Sequence, residues 1–177
     1  MNQYLYQLKK SMKLISENPR TIFLGQSVSY SGSSIYASLD HIKKNKIELP
    51  VFEDTQMGMS IGLAMAGYLP ITCYPRMDFL ILASNQMINS LDKISEMSKE
   101  DFNPKIIIRT CVGAKKPLNA GPQHTGNYYN YFKKVLKNIN VVNLNSSKII
   151  FNEYKKAINP KNKKSTLFVE YQQKYHD

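Results

Sequence analysis

Three ionisable side chains stand where the chain changes from regular to irregular. Glu53 precedes a helix, Arg109 closes an apolar strand, and His124 ends a Gly/Pro-rich loop. Groups at strand ends can meet along one carboxyl edge of a sheet, which is where open α/β sheets bind ligands. A carboxyl held beside Val51, Phe52 and Met57 can share a proton with a ring nitrogen, because burial disfavours its charged form. Each residue also has a plainer role. Glu53 can simply favour the positive end of a helix. His124 can cap the helix after it or face solvent, and Arg109 can anchor an ion pair. The sequence carries no Walker loop, no GxGxxG and no CxxC, and no spacing supports a Ser-His-Asp triad. From the residues alone, the reading ends at an α/β domain with a buried glutamate.

The elements that must position these groups follow from periodicity. Leu5, Leu8, Met12 and Ile15 recur at helical spacing over 4–17, and Asn18-Pro19 stops that helix. Thr21–Leu24 reads as a short buried strand ending at Gly25, and Gln26–Ser34 as a Ser/Gly/Tyr-rich loop. A helix over 35–44 and an extended segment over 46–52 follow. Asp54 or Thr55 can cap a helix over 55–67. In that helix Gly58, Gly62 and Ala66 form a stripe that lets another helix approach, either within the chain or across a subunit interface. Leu69–Tyr74 is a strand, 79–96 a helix, and Lys105–Arg109 a strand apolar enough to be central. Val112–Gln123 is a loop, Tyr128–Leu136 a helix, Asn140–Leu144 a strand, Ser146–Ala157 a helix, and Ser165–Glu170 the last strand. The alternation predicts one α/β domain over 1–177, with a mainly parallel sheet and helices on both faces.

Composition narrows the setting. A chain of 177 residues, 42% hydrophobic, can bury a core. No apolar run reaches the length of a membrane span. Cys73 and Cys111 lie in strand-like contexts without metal-ligand neighbours, which points to buried, reduced thiols in a cytoplasmic protein. The net charge of +11 raises nucleic acid as a partner. From Lys133 to Asp177, however, ten lysines face three acids, spread over a helix and a loop with no recognition motif. A solvated lysine face is the reading adopted, with a basic binding module as its rival.

The order of motifs resembles the pyrimidine-binding domain of thiamine diphosphate enzymes, of the transketolase and 2-oxoacid dehydrogenase beta-subunit type. FLGQSVSYSGSSIYASL (23–39), EDTQMGMSIGLAMAGYLP (53–70), DFLILASNQMIN (78–89) and IIIRTCVGAKKPLNAGPQHT (106–125) stand in the family's order. The resemblance implies that Glu53 hydrogen-bonds the pyrimidine ring nitrogen and favours the imino tautomer that activates the cofactor. It implies that Phe79 stacks on the pyrimidine and that Val51 and Phe52 line the cofactor. Gln26 stands in the cofactor site where the family often has an acid, and Asn85 replaces the Asp of a DQ pair. His124 meets substrate, and helix 55–67 packs across the interface. The chain ends where the family's carboxyl-terminal domain would begin, and it has no GDG…N motif for diphosphate and metal. The expectation is therefore one subunit of a split enzyme. A separate diphosphate-binding subunit, which also holds most of the Mg, would complete it as a heterotetramer. The reaction would be 2-oxoacid decarboxylation or transfer of the resulting acyl unit, with ketol transfer on sugar phosphates as the alternative.

Overall fold

Six parallel strands form one sheet, in the order β2-β1-β3-β4-β6-β5. They are β1 (Thr21–Gly25), β2 (Lys46–Glu48), β3 (Leu69–Tyr74), β4 (Ile107–Val112), β5 (Asn140–Asn143) and β6 (Thr166–Tyr171). The computed structural model describes residues 2–116 and 119–176. Pro117 and Leu118, part of the expected loop 112–123, lie outside the described residues. β4 is buried at all six positions and is flanked by β3 and β6, as a near-continuous apolar run requires. It starts and ends later than the segment 105–109 expected from sequence, so Cys111 and Val112 belong to the sheet.

Helices cover both faces. On one side lie α1 (Gln3–Ser16), α2 (Ser34–Leu39) and α7 (Ser147–Ile158), whose Leu8, Met12, Ile35, Leu39 and Ile150 pack on Phe23, Ile71, Ile107 and Phe168. On the other side α3 (Glu53–Met65), α4 (Met77–Leu80) and α6 (Tyr129–Val135) bring Met57, Leu80 and Phe132 against Tyr74, Ile108, Leu167 and Val169. Alternate strand residues therefore feed opposite layers, as the period of two demands. α1 is capped by Asn2, whose side chain accepts from Leu5 N at 2.8 Å. α7 is capped by Ser146. Such side-chain acceptors satisfy amide groups left open at a helix start.

Two helices differ from the sequence reading. α2 ends at Leu39 rather than at 44, because the chain must turn through Asn45 (φ +57°) to enter β2. The single helix expected over 79–96 is broken. α4 gives way to a 3-10 turn (Ile81–Ala83), a π-helical turn (Gln86–Leu91) and α5 (Ile94–Met97). In the wide turn Asp92 N bonds Met87 O, five residues back, at 2.9 Å. The extra residue brings Asp92 inside beside Leu91. There its carboxylate accepts from the backbone N–H groups of Lys137, Asn138 and Ile139 at 2.8–3.1 Å. These three amides join α6 to β5, so the broken helix holds the next crossover in place.

The largest correction concerns Arg109. It does not join Glu53 and His124. Its side chain points into the α1/α2/α7 layer and is fully buried. Its Nε and Nη2 donate to Glu170 at 2.7 and 3.0 Å, and Nη2 also donates to Ser38 Oγ at 2.8 Å. Tyr154 OH donates to Glu170 at 2.8 Å, and Tyr175 OH donates to its other oxygen. Burial pushes the guanidinium pKa down, and the Glu170 carboxylate outweighs that and raises it. Removing one partner strands a buried charge. Arg109→Met is therefore expected to cost about 3–5 kcal/mol, read as a lower urea midpoint. Arg109→Met with Glu170→Leu should recover only part of it, since the hydroxyls of Ser38, Tyr154 and Tyr175 then lose their partner.

Cys73 and Cys111 are both free and buried. Burial pushes the Cys73 thiol up to about 12 and raises that of Cys111 as well. Since the thiolate is the reactive species, neither should react with a thiol reagent at pH 8 in the native chain. Both should react on unfolding in urea, as counted by mass spectrometry.

Candidate functional site

The direction of strand addition reverses between β1 and β3, because β2 was laid down on the far side of β1. The crevice above their carboxyl ends is where this sheet type binds ligands. Gly25 closes β1 at φ +138°, and a Cβ there would come within 2.2 Å of Cys73 O. Only glycine permits that approach. Gln26 follows, and its Nε2 donates to Glu53 Oε1 at 3.0 Å. Glu53 is 3% exposed, and its Oε2 accepts no hydrogen bond among the described residues. One oxygen is thus fixed and the other is free for a ligand.

Glu53 occupies the first position of α3, with Phe52 in the cap position and without a side-chain cap. The helix begins two residues earlier than expected. Neither Asp54 nor Thr55 caps it; Asp54 instead accepts from Gln86 at 3.4 Å. The plain role and the chemical role therefore coincide, since the carboxylate sits at the positive helix end and faces the crevice loop. Tyr74 OH donates to Glu53 O at 3.3 Å. Gln56, one turn on, donates to Thr72 Oγ1 and Cys73 O at 2.8 and 3.1 Å, tying α3 to the end of β3.

Phe79 and His124 form a second pair, their rings 5.5 Å apart and edge to face. Phe79 lies in α4 after β3, and His124 in a 3-10 turn (Pro122–His124) after β4, so both belong to the same carboxyl edge as Gln26 and Glu53. His124 Nδ1 is buried without a partner. Gly113 makes room for its loop, because a Cβ there would fall 1.8 Å from His124 O. Asp78 then clamps the far side. Its carboxylate accepts from Gly126 N at 3.2 Å and from Tyr128 OH at 3.4 Å.

Arg109 is absent from this edge for the reason given above. Val51 is 74% exposed and so does not wall in Glu53 within this chain; Phe52 is partly buried and Met57 fully buried. Three positioning residues escaped the sequence reading. Glu48 accepts from the backbone N–H groups of Val28 and Ser29 at 2.9 and 2.7 Å, and from that of Ser27. It thereby holds the turn that presents Gln26. Asp78 and Gln56 are the others. Each pairs with residues far along the chain, which no local pattern announces.

A parallel sheet with a buried carboxylate at its reversal point defines an α/β domain with a candidate ligand crevice. More narrowly, the chain belongs to the transketolase pyrimidine-binding domain family, whose model matches residues 10–176. It is 29% identical over 125 residues to the pyruvate dehydrogenase E1 component subunit beta of Staurastrum punctulatum, covering 68% of this chain and 38% of that one. With the Gracilaria tenuistipitata var. liui subunit of the same name it shares 32% over 124 residues, covering 67% and 38%. The chain thus spans 38% of the length of these curated relatives. Its fold matches a transketolase from Campylobacter jejuni subsp. jejuni NCTC 11168 (TM-score 0.74, 12% identity, 96% of this chain and 26% of that one). It also matches a split gene transketolase solved as an inactive beta4 tetramer (TM-score 0.66, 18% identity, 96% and 50%).

The clamp on the His124 loop can be tested alone. Asp78→Ala removes the acceptor of Gly126 N, and that amide should lose protection from hydrogen exchange. The amides of Lys137–Ile139, which bond Asp92, should keep theirs.

Proposed function

We propose that this chain is the pyrimidine-binding subunit of a thiamine diphosphate enzyme whose diphosphate-binding half is a separate polypeptide. The observation that carries the reading is Glu53, buried at the reversal point with Oε1 fixed by Gln26 and Oε2 open. A ring nitrogen needs such a group: a carboxyl able to keep or give a proton, screened from water. Phe79 offers an aromatic face for the ring. His124, with its Nδ1 unsatisfied, would face the substrate. When bound, thiamine diphosphate would supply a nucleophilic carbon and an electron sink for decarboxylation of a keto acid.

In this reading Val51 and Phe52 line the cofactor once the partner subunit covers them. Mg and the diphosphate belong to that partner. Among the described residues no group of three His, Cys, Asp or Glu is placed to hold a metal. Loss of carbon dioxide from a 2-oxoacid, with release or transfer of the acyl unit, is the reaction inferred. No described helix is long and apolar enough to cross a membrane, and two reduced thiols suit a cytoplasmic setting.

The partner-facing surface in this proposal includes α3. A Cβ added at Gly58 or Gly62 would meet nothing within 4 Å, so the small-residue stripe is uncovered by this chain. Met59, Met65, Ile81 and Leu82 are exposed nearby in sequence.

Three outcomes are expected. Reconstituted with its partner subunit, the Glu53→Gln variant should lose about 10²–10⁴-fold in turnover, the range for a lost acid–base group. The isolated chain should show no turnover with thiamine diphosphate and Mg, and activity of the chain alone would sink the split-enzyme reading. Gly62→Leu should leave the chain's own melting temperature unchanged or raised, yet abolish association in sedimentation velocity.

A further inference from the structure

The chain contains 21 lysines and only three arginines, so each arginine's place is informative. Arg20 lies over the Tyr68 ring and donates to Gly67 O. Arg109 is held by Glu170. Arg76, the third, follows β3 directly and opens α4, its backbone carbonyl accepting from Phe79 N at 3.2 Å. It is partly buried, and its Nε is buried with no hydrogen-bond partner. Nη1 donates to the carbonyl of the adjacent Pro75 at 2.8 Å. Among the described residues it makes no ion pair. Asp78, the acid nearest in sequence, spends its oxygens on Gly126 and Tyr128. Glu53 makes no ion pair with Arg76; its Oε1 accepts from Gln26.

A partly desolvated guanidinium without a counter-ion is costly, and its planar fork suits a bidentate oxyanion. Its position tells where that anion would sit. A single point, the Cβ position at Gly113, lies 1.8 Å from His124 O and 3.4 Å from Arg76 Nε. Arg76 and the His124 turn thus flank the same glycine at the carboxyl edge between β3 and β4. The groups that face this edge are His124, Asp78 and Glu53, with Lys115 and Lys116 exposed on the adjoining loop.

We propose that Arg76 is the substrate's oxyanion anchor, binding a carboxylate or phosphate group beside His124. The inference rests on the cofactor reading above and adds the residue that would hold the substrate's charged end, with the reactive centre directed toward Glu53 and Phe79. Two sources share this chemistry, the carboxylate of a 2-oxoacid and the phosphate of a sugar phosphate.

The test uses the 177-residue chain alone. Three arginines give three Nε–H signals in a ¹H–¹⁵N spectrum, assigned through Arg76→Lys. Sodium oxamate, an unreactive 2-oxoacid mimic, and inorganic phosphate are titrated separately at constant ionic strength. A saturable shift of the Arg76 signal, with those of Arg20 and Arg109 unmoved, is expected for one of them. Preference for oxamate assigns a 2-oxoacid, and preference for phosphate a sugar phosphate. Arg76→Gln should lose the saturable response read at the neighbouring His124 ring, and Arg76→Lys should weaken it about tenfold or more. If neither anion moves Arg76 more than Arg20, the anchor is overturned. The Glu53→Gln chain should keep the response in full. Loss of turnover in that variant therefore reports on the cofactor reading, and silence of Arg76 on the anchor alone.

Discussion

Glu48 is the residue on which the site's geometry hangs. It lies on the short edge strand β2, yet its carboxylate gathers successive backbone N–H groups of the turn after β1. That turn includes Ser27 at φ +54°, a conformation that needs support from outside the local chain. Held in this way, the turn delivers Gln26 to Glu53. The carboxylate that would do chemistry is therefore placed by a second carboxylate that does none. One is saturated with backbone donors and inert. The other has a single amide donor and an open oxygen.

The two faces of the sheet divide the work. The α1/α2/α7 side contains Arg109, Glu170 and the tyrosines around them, fully paired and closed to solvent. The crevice edge contains polar atoms left open: His124 Nδ1, Arg76 Nε and the Oε1 of Gln56. Buried polar groups are normally satisfied. The open atoms at this edge contrast with the saturated cluster around Arg109 on the other face.

Much of the fold was legible because it is written in short-range patterns. α1, α7 and the six strands follow from the 3.6 and 2 periods and from turn residues such as Asn18-Pro19. The family motifs pointed to Glu53, Phe79 and His124; in the structure Gln26 bonds Glu53, and the rings of Phe79 and His124 meet edge to face. The sequence misled where long-range bonds overrode local pattern. Arg109 looked like a strand-end group, but its direction was set by Glu170, 61 residues away. The segment 79–96 has a good helical pattern, but burial of Asp92 against the backbone near 138 broke it. Val51 read as a wall of the site and is exposed, because no described residue packs over it.

That broken segment has a consequence for how the chain tolerates change in length. A π-helical turn holds one residue more than an α-helical turn spanning the same rise. The stretch Gln86–Leu91 is thus a store of slack between α4, which carries Phe79, and the crossover into β5. A one-residue deletion there would be absorbed as an ordinary α-helical turn, leaving both the aromatic end and the Asp92 end in register. Aligned against a relative that lacks the wide turn, the chain would show a single-residue gap in mid-helix. That gap would mark the loss of the wide turn and not a shift of either flank.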